Sequence, residues 1–469
     1  MLLRRLYEDM LSQASYIIAC DETRHAIVVD PNRDIHQYIA VAKAEKLRIT
    51  HVTETHIHAD YVSGARALAE ATGAQLMLSG DGGVDWQYRY ATEAKARILH
   101  NGDTVNVGTV RVDVAHTPGH TPEHICFVIT DTASADRPMG MLSGDFIFVG
   151  DVGRPDLLER AAGIGNTMED MARQLYRSIQ KARELPDYLQ IWPGHGAGSA
   201  CGKALGDIPS STLGYERLVN WAFRADSEQA FVDEVLRGQP EPPKYFARMK
   251  TVNRDGPRPR PDPSRIPRLS PAEVMKAMHD GAVVVDVRST AEFAAGHMAG
   301  TLNIPTGTSF PNWIGSLVEP DRPIIFVVGR DESRLARALR GSALVGMDGV
   351  AGWGGPDVIQ EWTASGKQLV TTQQLDPKEA HASGRLIVDV RGQSESDEAS
   401  IPGARHAFLG DIVAQMRDVP KDQPLVLHCG SGSRSAIGAS VLQAAGFTDV
   451  ANLKGGIDAW KDAALPVRA

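Results

Sequence analysis

Cysteine is scarce: four residues in 469 (Cys20, Cys126, Cys201 and Cys429), scattered along the chain. That excludes a disulfide framework and points to reduced thiols in a cytoplasmic setting, so a functional cysteine has to be argued site by site. A surplus of positive charge is also missing. Lysine plus arginine number 49 against 58 aspartates and glutamates, a net charge of −9. General nucleic-acid binding needs a cationic surplus to release counterions and is not expected, whereas a local basic pocket for a small anion remains open. No apolar run approaches the ~20 residues of a membrane span. At the N-terminus Arg4 and Arg5 are followed by Tyr7, Glu8 and Asp9 instead of an apolar stretch and a small-residue cleavage site. Neither a secretory signal nor a membrane partner is expected. What is present, 42% apolar and 23% charged residues, is ordinary for globular protein. The length suggests about three domains at roughly 150 residues each.

Residues 1–250 alternate short β-rich runs, at 26–30, 49–54, 75–78, 110–114, 125–129 and 139–148, with helical stretches such as 63–72, which Gly73 closes. Next comes TVNRDGPRPRPDPSRIPR, with five prolines and five arginines in eighteen residues. Such proline density cannot sustain sheet or helix hydrogen bonding, so 251–267 reads as a linker. Beyond it the sequence repeats. VVVDVR at 283–288 matches LIVDVR at 386–391, pairing Asp286 with Asp389 at an offset of 103. IIFVV then GRDESR matches LVLH then CGSGSR, pairing Gly329 with Cys429 and Arg334 with Arg434 at an offset of 100. Two copies of one α/β module, at 268–366 and 369–469, account for this, each a mainly parallel sheet with helices on both faces. The whole reads as an α/β multidomain chain.

The first chemical constellation lies in the N-terminal part. THIHADYVSG places His56, His58 and Asp60 at alternating positions of a turn between a strand and a helix. His120 follows in HTPGHT, Asp145 in LSGDF and His195 in WPGHG, each beside glycine where a strand gives way to a loop. Imidazoles with a carboxylate suit a first-row transition metal.

The order HxHxD, TPGHT, SGD and PGH resembles the metallo-β-lactamase superfamily over about the first 250 residues. The resemblance implies an αββα sandwich with the metal at one edge. Members that bind two zinc ions usually carry a histidine directly after the aspartate of the first motif. Tyr61 stands there instead, and a phenol with a pKa near 10 is a poor zinc ligand. Within the superfamily the closest resemblance is to persulfide dioxygenases of the ethylmalonic-encephalopathy type. It implies one Fe(II) per chain, held by His56, His120 and Asp145, with positions left open for O2 and a sulfur substrate. His58, Asp60, Tyr61 and His195 would then orient ligands and substrate. Arg154, in DVGRPD, either offers the site a cation or pairs with Asp151 or Asp156. Cys201, six residues past His195, is either a small buried thiol or one that accepts or guides sulfur near the metal. Cys20 and Cys126 lie in apolar runs and are expected in the core.

The second constellation is LVLHCGSGSRS. A buried strand runs into Cys429, a loop of Gly430, Ser431, Gly432 and Ser433, then Arg434 and an alanine-rich helix. Inward-pointing backbone N–H groups and the helix N-terminus stabilise negative charge on or beside the sulfur. Arg434 would close the ring from the side. Four residues separate Cys429 from Arg434, where cysteine phosphatases have five, so the cradle fits a persulfide sulfur better than a phosphate. With VDVR upstream and NLKGGIDAW downstream, this module resembles the rhodanese sulfurtransferases, and Asp389 and Arg391 match that family's DVR motif. The departure lies at Ser396, Ala399 and Ser400, where an aromatic residue followed by Gly-His is usual. The middle copy keeps AEFAAGHMAG but has Gly329 in place of the cysteine, with Asp331 and Glu332 in its loop. It resembles a rhodanese without its nucleophile.

The resemblances together imply a persulfide dioxygenase fused to a rhodanese. The iron site would oxidise a low-molecular-weight persulfide, such as glutathione persulfide, with O2 to sulfite and free thiol. Cys429 would move sulfane sulfur among persulfide, thiosulfate and sulfite. The alternative is a zinc-dependent thioester hydrolase of the glyoxalase II kind with appended rhodanese modules. A third reading makes the rhodanese pair a sulfur carrier or docking module. A homo-oligomer, dimer or tetramer, is expected.

Overall fold

The computed structural model describes residues 1–160, 165, 167–203 and 205–468, apart from the side chain of Leu158. Ala469, the last residue of the expected C-terminal module, lies outside the described residues. The chain forms two compact units: Met1–Arg260 with Ala343–Gly346, and Pro261–Ser342 with Met347–Ala469.

The first unit is built on two six-stranded sheets. One runs in the order β1 (Leu2–Glu8), β2 (Gln13–Ala19), β3 (His25–Val29), β4 (Arg48–Thr53), β5 (Gln75–Ser79), β6 (Arg97–Leu99). The other runs from β12 (Ser211–Thr212) through β11 (Gln190–Pro193), β10 (Gly140–Gly144), β9 (Ile125–Asp131) and β8 (Val110–His116) to β7 (Thr104–Val107). Side-chain alternation sorts the apolar residues into layers. Tyr16, Ile18, Ile27 and Val29 meet Val112, Val114, Phe127 and Leu142 between the sheets. Ile17, Ala19, Ala26 and Val28 face the other way, onto Tyr38 and Leu68 of the outer helices His36–Ala44 and Ala65–Thr72. Cys126 and Met141 face Leu175, Ile179 and Phe231 of helices Met168–Ala182 and Glu228–Leu236. The result is the expected αββα sandwich. β2 is buried along its whole length, and its two buried polar side chains, Gln13 and Ser15, both donate to the Asp30 carbonyl. Gly73 ends the helix Ala65–Thr72 in the left-handed conformation, as the sequence predicts.

The helix Phe246–Asp255 extends into the start of the proline-rich stretch and stops at Gly256. The stretch begins with helix-compatible residues, and its first proline is Pro257. Among the described residues no helix is long and apolar enough to cross a membrane.

The second unit contains the duplicated modules. Strands β13 (Val283–Asp286), β14 (Leu302–Asn303), β15 (Ile324–Val327) and β16 (Val350–Gly354) form a parallel sheet ordered β14-β13-β15-β16. Strands β17 (Gln373–Leu375), β18 (Leu386–Asp389), β19 (Arg405–His406), β20 (Leu425–His428) and β21 (Val450–Leu453) form the second, ordered β17-β21-β20-β18-β19. Asp286 aligns with Val327 and Asp389 with His428, so the duplication holds at the level of strand register.

The helix Ser433–Ala444 is buried continuously from Ser435 to Leu442. One side meets its own module, where an added Cβ on Gly438 would lie 3.1 Å from Leu427. The other meets the middle module, where the Asn303 backbone N–H donates to Ser440 Oγ at 2.9 Å. This two-sided burial explains a helix composed of small and apolar residues without a polar face. Ser440→Ala leaves the buried Asn303 N–H without its acceptor. It should destabilise the second unit by about 1–3 kcal/mol, read as a lower urea midpoint; an unchanged midpoint would contradict the role of this contact.

Candidate active sites

The loops at one edge of the sandwich converge on a buried polar centre. His56, His58 and Asp60 follow β4, His120 lies between β8 and β9, Asp145 follows β10 and His195 follows β11. All six are buried. Asp145 sits in the middle, with Oδ2 3.5 Å from His120 Nε2 and 4.0 Å from His56 Nε2, and Oδ1 3.5 Å from His195 Nε2. Neither of its oxygens has a hydrogen-bond partner. His120 Nδ1 donates to the Arg154 carbonyl at 3.0 Å, which leaves the Nε2 lone pair free. His56 Nδ1 meets Thr55 Oγ1 at 3.0 Å. Burial, reinforced by neighbouring imidazoles, holds His56 well below its ordinary pKa; burial also lowers His120, against the opposing pull of Asp145. Two neutral imidazoles and an unpartnered buried carboxylate fit a metal ion, and the atoms of His56, His120 and Asp145 lie within 4.8 Å of one another.

Small residues let Asp145 take this place. A Cβ on Gly194 would lie 2.8 Å from Asp145 Oδ1, and one on Gly144, whose φ is +50°, would lie 2.6 Å from Thr55 Oγ1. The glycines of the SGD and PGH motifs are thus steric requirements of the centre.

His58 turns away from this set. Its Nε2 lies 3.2 Å from Asp30 Oδ1. Burial pushes its pKa down, but Asp30, Glu54 and Asp60 outweigh that and raise it to about 9. Tyr61 stacks on His58 with ring centroids 4.4 Å apart, and its hydroxyl donates to the Asp30 carbonyl at 3.4 Å. His195 donates from Nδ1 to the Ser12 carbonyl at 3.1 Å, and its Nε2 is 3.4 Å from Asp60 Oδ2. Cys201 is buried beside Asp60 and His195. Burial, with Asp60 and Asp145 adding to it, pushes its thiol well above the ordinary range.

Arg154 does not reach toward the centre, which corrects its placement as a substrate-binding cation. Its Nε and Nη2 grip Asp156 at 3.0 and 2.8 Å, and its remaining bonds go to the Ala200 and Pro240 carbonyls. Of the two roles weighed for it, the geometry is that of the ion pair.

Other residues of the centre escaped the sequence reading. His124 Nε2 accepts from the Asp145 backbone N–H at 3.1 Å while its Nδ1 meets Thr117 Oγ1 at 2.8 Å, so the ring ties the loop carrying Asp145 to the segment after β8. Its only sequence signal is its place four residues past His120. Asp30 receives Thr55 N and Thr55 Oγ1 at 2.6 and 2.9 Å. Its left-handed backbone, φ 52°, gives no sequence signal. Glu54 is buried with neither carboxylate oxygen partnered, and burial raises its pKa to about 7.

In the last module Cys429 is buried at the end of β20. Its Sγ accepts from the Gly432 backbone N–H at 3.1 Å and from Ser435 Oγ at 3.5 Å. Ser435 was missed, while Ser431 and Ser433 are exposed and their hydroxyls meet each other at 3.4 Å. The loop is clamped from behind, where the Ile457 and Asp458 N–H groups donate to the Cys429 and Gly430 carbonyls at 2.8 and 3.2 Å. A Cβ on Gly456, φ +62°, would lie 2.2 Å from the Gly430 carbonyl oxygen. Arg434 holds both oxygens of Glu395 at 2.7 and 2.6 Å, and its guanidinium also interacts with the Cys429 sulfur, on the side where the sequence expects it. Asp389 and Arg391 pair with each other at 2.6 Å, and Arg391 also bonds the Ala399 carbonyl. Asp389 Oδ2 also lies 3.7 Å from His428 Nε2, next to Cys429, so the pair sits at the strand ends that carry the loop.

The middle module repeats this frame with Gly329 in place of the cysteine. Arg288 grips Asp286 at 2.6 Å, and Arg334 meets Glu292 at 2.8 Å. Gly329 has φ +66°, and a Cβ there would lie 3.0 Å from the Arg288 side chain.

Comparison with known proteins agrees with these two frames. The metallo-beta-lactamase superfamily model matches residues 9–195, and the rhodanese-like domain model matches 270–353 and 372–463. The chain belongs to the metallo-beta-lactamase superfamily and carries two rhodanese-like domains after that domain. The crystal structure of a metallo-beta-lactamase from Staphylococcus aureus subsp. aureus COL is 41% identical, with a TM-score of 0.68, over 76% of this chain and 99% of that one. A hydroxyacylglutathione hydrolase of Polaromonas sp. (strain JS666) is 33% identical over 182 residues, 39% of this chain. The chain spans 61% of that hydrolase's length. The mitochondrial persulfide dioxygenase ETHE1 of Bos taurus is 29% identical over 199 residues, 41% of this chain and 68% of that protein.

Two predictions follow from this geometry. His124→Ala releases the loop that carries Asp145 and should weaken metal affinity about 10–100-fold, as loss of ligand-orienting partners does; unchanged metal content after dialysis would contradict it. For Glu54, a folded-state pKa raised to about 7 means that stability is fully present below about pH 4.5 and is lost as pH rises to about 7. In the metal-free protein, Glu54→Gln should therefore gain up to about 3 kcal/mol over wild type at pH 8 and little at pH 4.5. Urea curves of equal spacing at both pH values would refute this.

Proposed function

We propose that this chain is a persulfide dioxygenase joined to a sulfurtransferase. The N-terminal domain would oxidise a low-molecular-weight persulfide, such as glutathione persulfide, with O2 to sulfite and free thiol. The C-terminal rhodanese would carry sulfane sulfur on Cys429. The observation that carries the reading is the donor set: His56, His120 and Asp145 converge, while His58 is engaged by Asp30. A two-histidine, one-carboxylate face suits non-haem Fe(II), whereas a hydrolytic zinc site of this motif would draw on both histidines of HxH. One ferrous ion in this face would supply O2 activation.

The chain's own residues set the stage for that chemistry. The Arg154 carbonyl fixes the His120 tautomer, and His124 fixes the Asp145 loop. Asp30 keeps His58 in place through a short contact, so His58 orients the HxH turn. Burial of the whole set keeps water from competing at the open positions. A glyoxalase II-like zinc hydrolase is the competing reading, favoured by the relatedness to the Polaromonas hydrolase.

In the rhodanese, the Cys429 thiolate would attack the terminal sulfur of a persulfide R–S–SH. The S–S bond breaks, its electron pair leaves on the R–S⁻ thiolate, and Cys429 becomes Cys–S–SH. The Gly432 N–H and Ser435 hydroxyl, already on the sulfur, would hold the negative charge before attack. The Arg434–Glu395 pair keeps the loop's rim in place. Acceptance by sulfite would return the thiolate and release thiosulfate.

The two activities should separate by mutation. On anaerobically iron-loaded protein given glutathione persulfide, His120→Ala should abolish oxygen uptake and sulfite formation while leaving sulfur transfer intact. Cys429→Ser should do the reverse. Oxygen uptake that survives His120→Ala would contradict the assignment of the centre.

A further inference from the structure

The loop that carries His58, Asp60 and Tyr61 is held by residues from outside the superfamily match. That match ends at residue 195, and the helix Phe246–Asp255 lies beyond it. Asn253 of this helix is 1% exposed. Its Nδ2 donates to the His58 and Tyr61 carbonyls at 2.7 and 2.8 Å, and its Oδ1 accepts from the Ser63 N–H at 2.9 Å. Tyr245, just before the helix, donates from its hydroxyl to the Asp60 carbonyl at 3.0 Å. Buried backbone groups outside regular structure need partners, and these two side chains supply them along the loop in place of water.

The Val62 N–H finds its partner still further along the chain, donating to the Leu344 carbonyl at 2.7 Å. Ala343–Gly346 belong to the same compact unit as the metal centre, although they fall inside the first rhodanese-like match, 270–353. Arg248, on the same helix as Asn253, donates from Nη2 and Nη1 to the Val345 and Gly346 carbonyls at 2.9 and 3.1 Å. Arg33 Nη1 donates to the Ala343 carbonyl at 3.2 Å. Gly346 has φ +68°, and a Cβ there would lie 3.2 Å from Val62 Cγ2 and 3.4 Å from Met249 Cε. The close approach of this segment to the loop therefore requires glycine.

We propose that Asn253, together with the segment Ala343–Gly346 that Arg248 holds, positions the metal centre by fixing the 58–64 loop. His56 stands at the start of that loop. The Ile57 N–H after it donates to Glu123 Oε1 at 2.7 Å, and the next carbonyl, that of His58, is held by Asn253. The direction of the His56 ring and of the Asp60 carboxylate thus depends on backbone contacts made far from both in sequence. A stretch inside the module without a nucleophile thereby serves the metal centre. The inference takes from the proposed function only that the ion sits at His56, His120 and Asp145.

Metal affinity and hydrogen exchange read this role without reference to turnover. In full-length protein, Asn253→Ala and Gly346→Ala should each weaken Co2+ binding about 10–100-fold in competition with a chelator. Without metal, the Ser63 amide in Asn253→Ala and the Val62 amide in Gly346→Ala should exchange about tenfold faster, the loss of one hydrogen bond. Sulfur transfer by Cys429 should keep its wild-type rate in both, which reports that they fold. Arg248→Gln adds no backbone strain and should shift Co2+ affinity in the same direction, so it replaces Gly346→Ala if that variant does not fold. Wild-type affinity in Asn253→Ala and Arg248→Gln would overturn the proposal. Co2+ binding that survives His120→Ala would overturn the metal assignment itself, and this proposal with it.

Discussion

The N-terminal site depends on the buried carboxylate of Asp145. It is removed from water, and no hydrogen-bond donor meets either oxygen. Such a group persists in a fold only if something positive meets it. Neighbouring residues are shaped by that demand. Gly144 and Gly194 make room for it, and His124 holds its backbone through a ring nitrogen. His56 and His120 turn Nε2 toward one oxygen, and His195 turns Nε2 toward the other. The two sheets carry the four loops to one edge, where these contacts become possible.

The second unit rests on a different device. A thiol at a strand end is wrapped by a loop whose Gly432 N–H points at it, and the loop is clamped from behind by the Ile457 and Asp458 N–H groups that follow the Gly455–Gly456 turn. Duplication supplied this frame twice. Both copies keep the Asp–Arg brace and the Glu–Arg pair, so these contacts belong to the module's architecture, and the copies differ in the cysteine and in the loop around it. The left-handed backbone of Gly329 shows that the silent loop has moved beyond a simple loss of sulfur. A cysteine placed there would carry both φ strain and contact with Arg288. The silent copy still covers one side of the helix that begins at the Cys429 loop.

The motif residues were legible because their spacing is local: HxHxD in one turn, a histidine or aspartate beside glycine at each later strand end, and Cys-Gly-Ser-Gly-Ser-Arg before a helix. Short apolar, β-branched runs likewise marked β3 and β9, and strict alternation marked β8. What stayed hidden was decided by contacts across the chain. Asp30 joins the centre through the Thr55–His58 turn, Glu395 reaches Arg434 across thirty-nine residues, and Ser435 reaches back to Cys429 from inside a helix. Arg154 shows the opposite failure. It lies in a motif near the centre, yet its fork is taken by Asp156 two residues on, a pairing that the sequence permitted without choosing. The start of the linker was misjudged for a simple reason: its proline content was averaged over a stretch whose first residues are helix-compatible.

The chemistry at the His56, His120 and Asp145 face decides between oxidation and hydrolysis. The most direct test presents one iron-loaded preparation with two substrates. It receives glutathione persulfide under O2, and a hydroxyacylglutathione thioester without O2. The account predicts sulfite formed in step with oxygen consumed from the persulfide, and no cleavage of the thioester. Thioester cleavage without oxygen uptake from the persulfide would contradict it and identify the centre as hydrolytic.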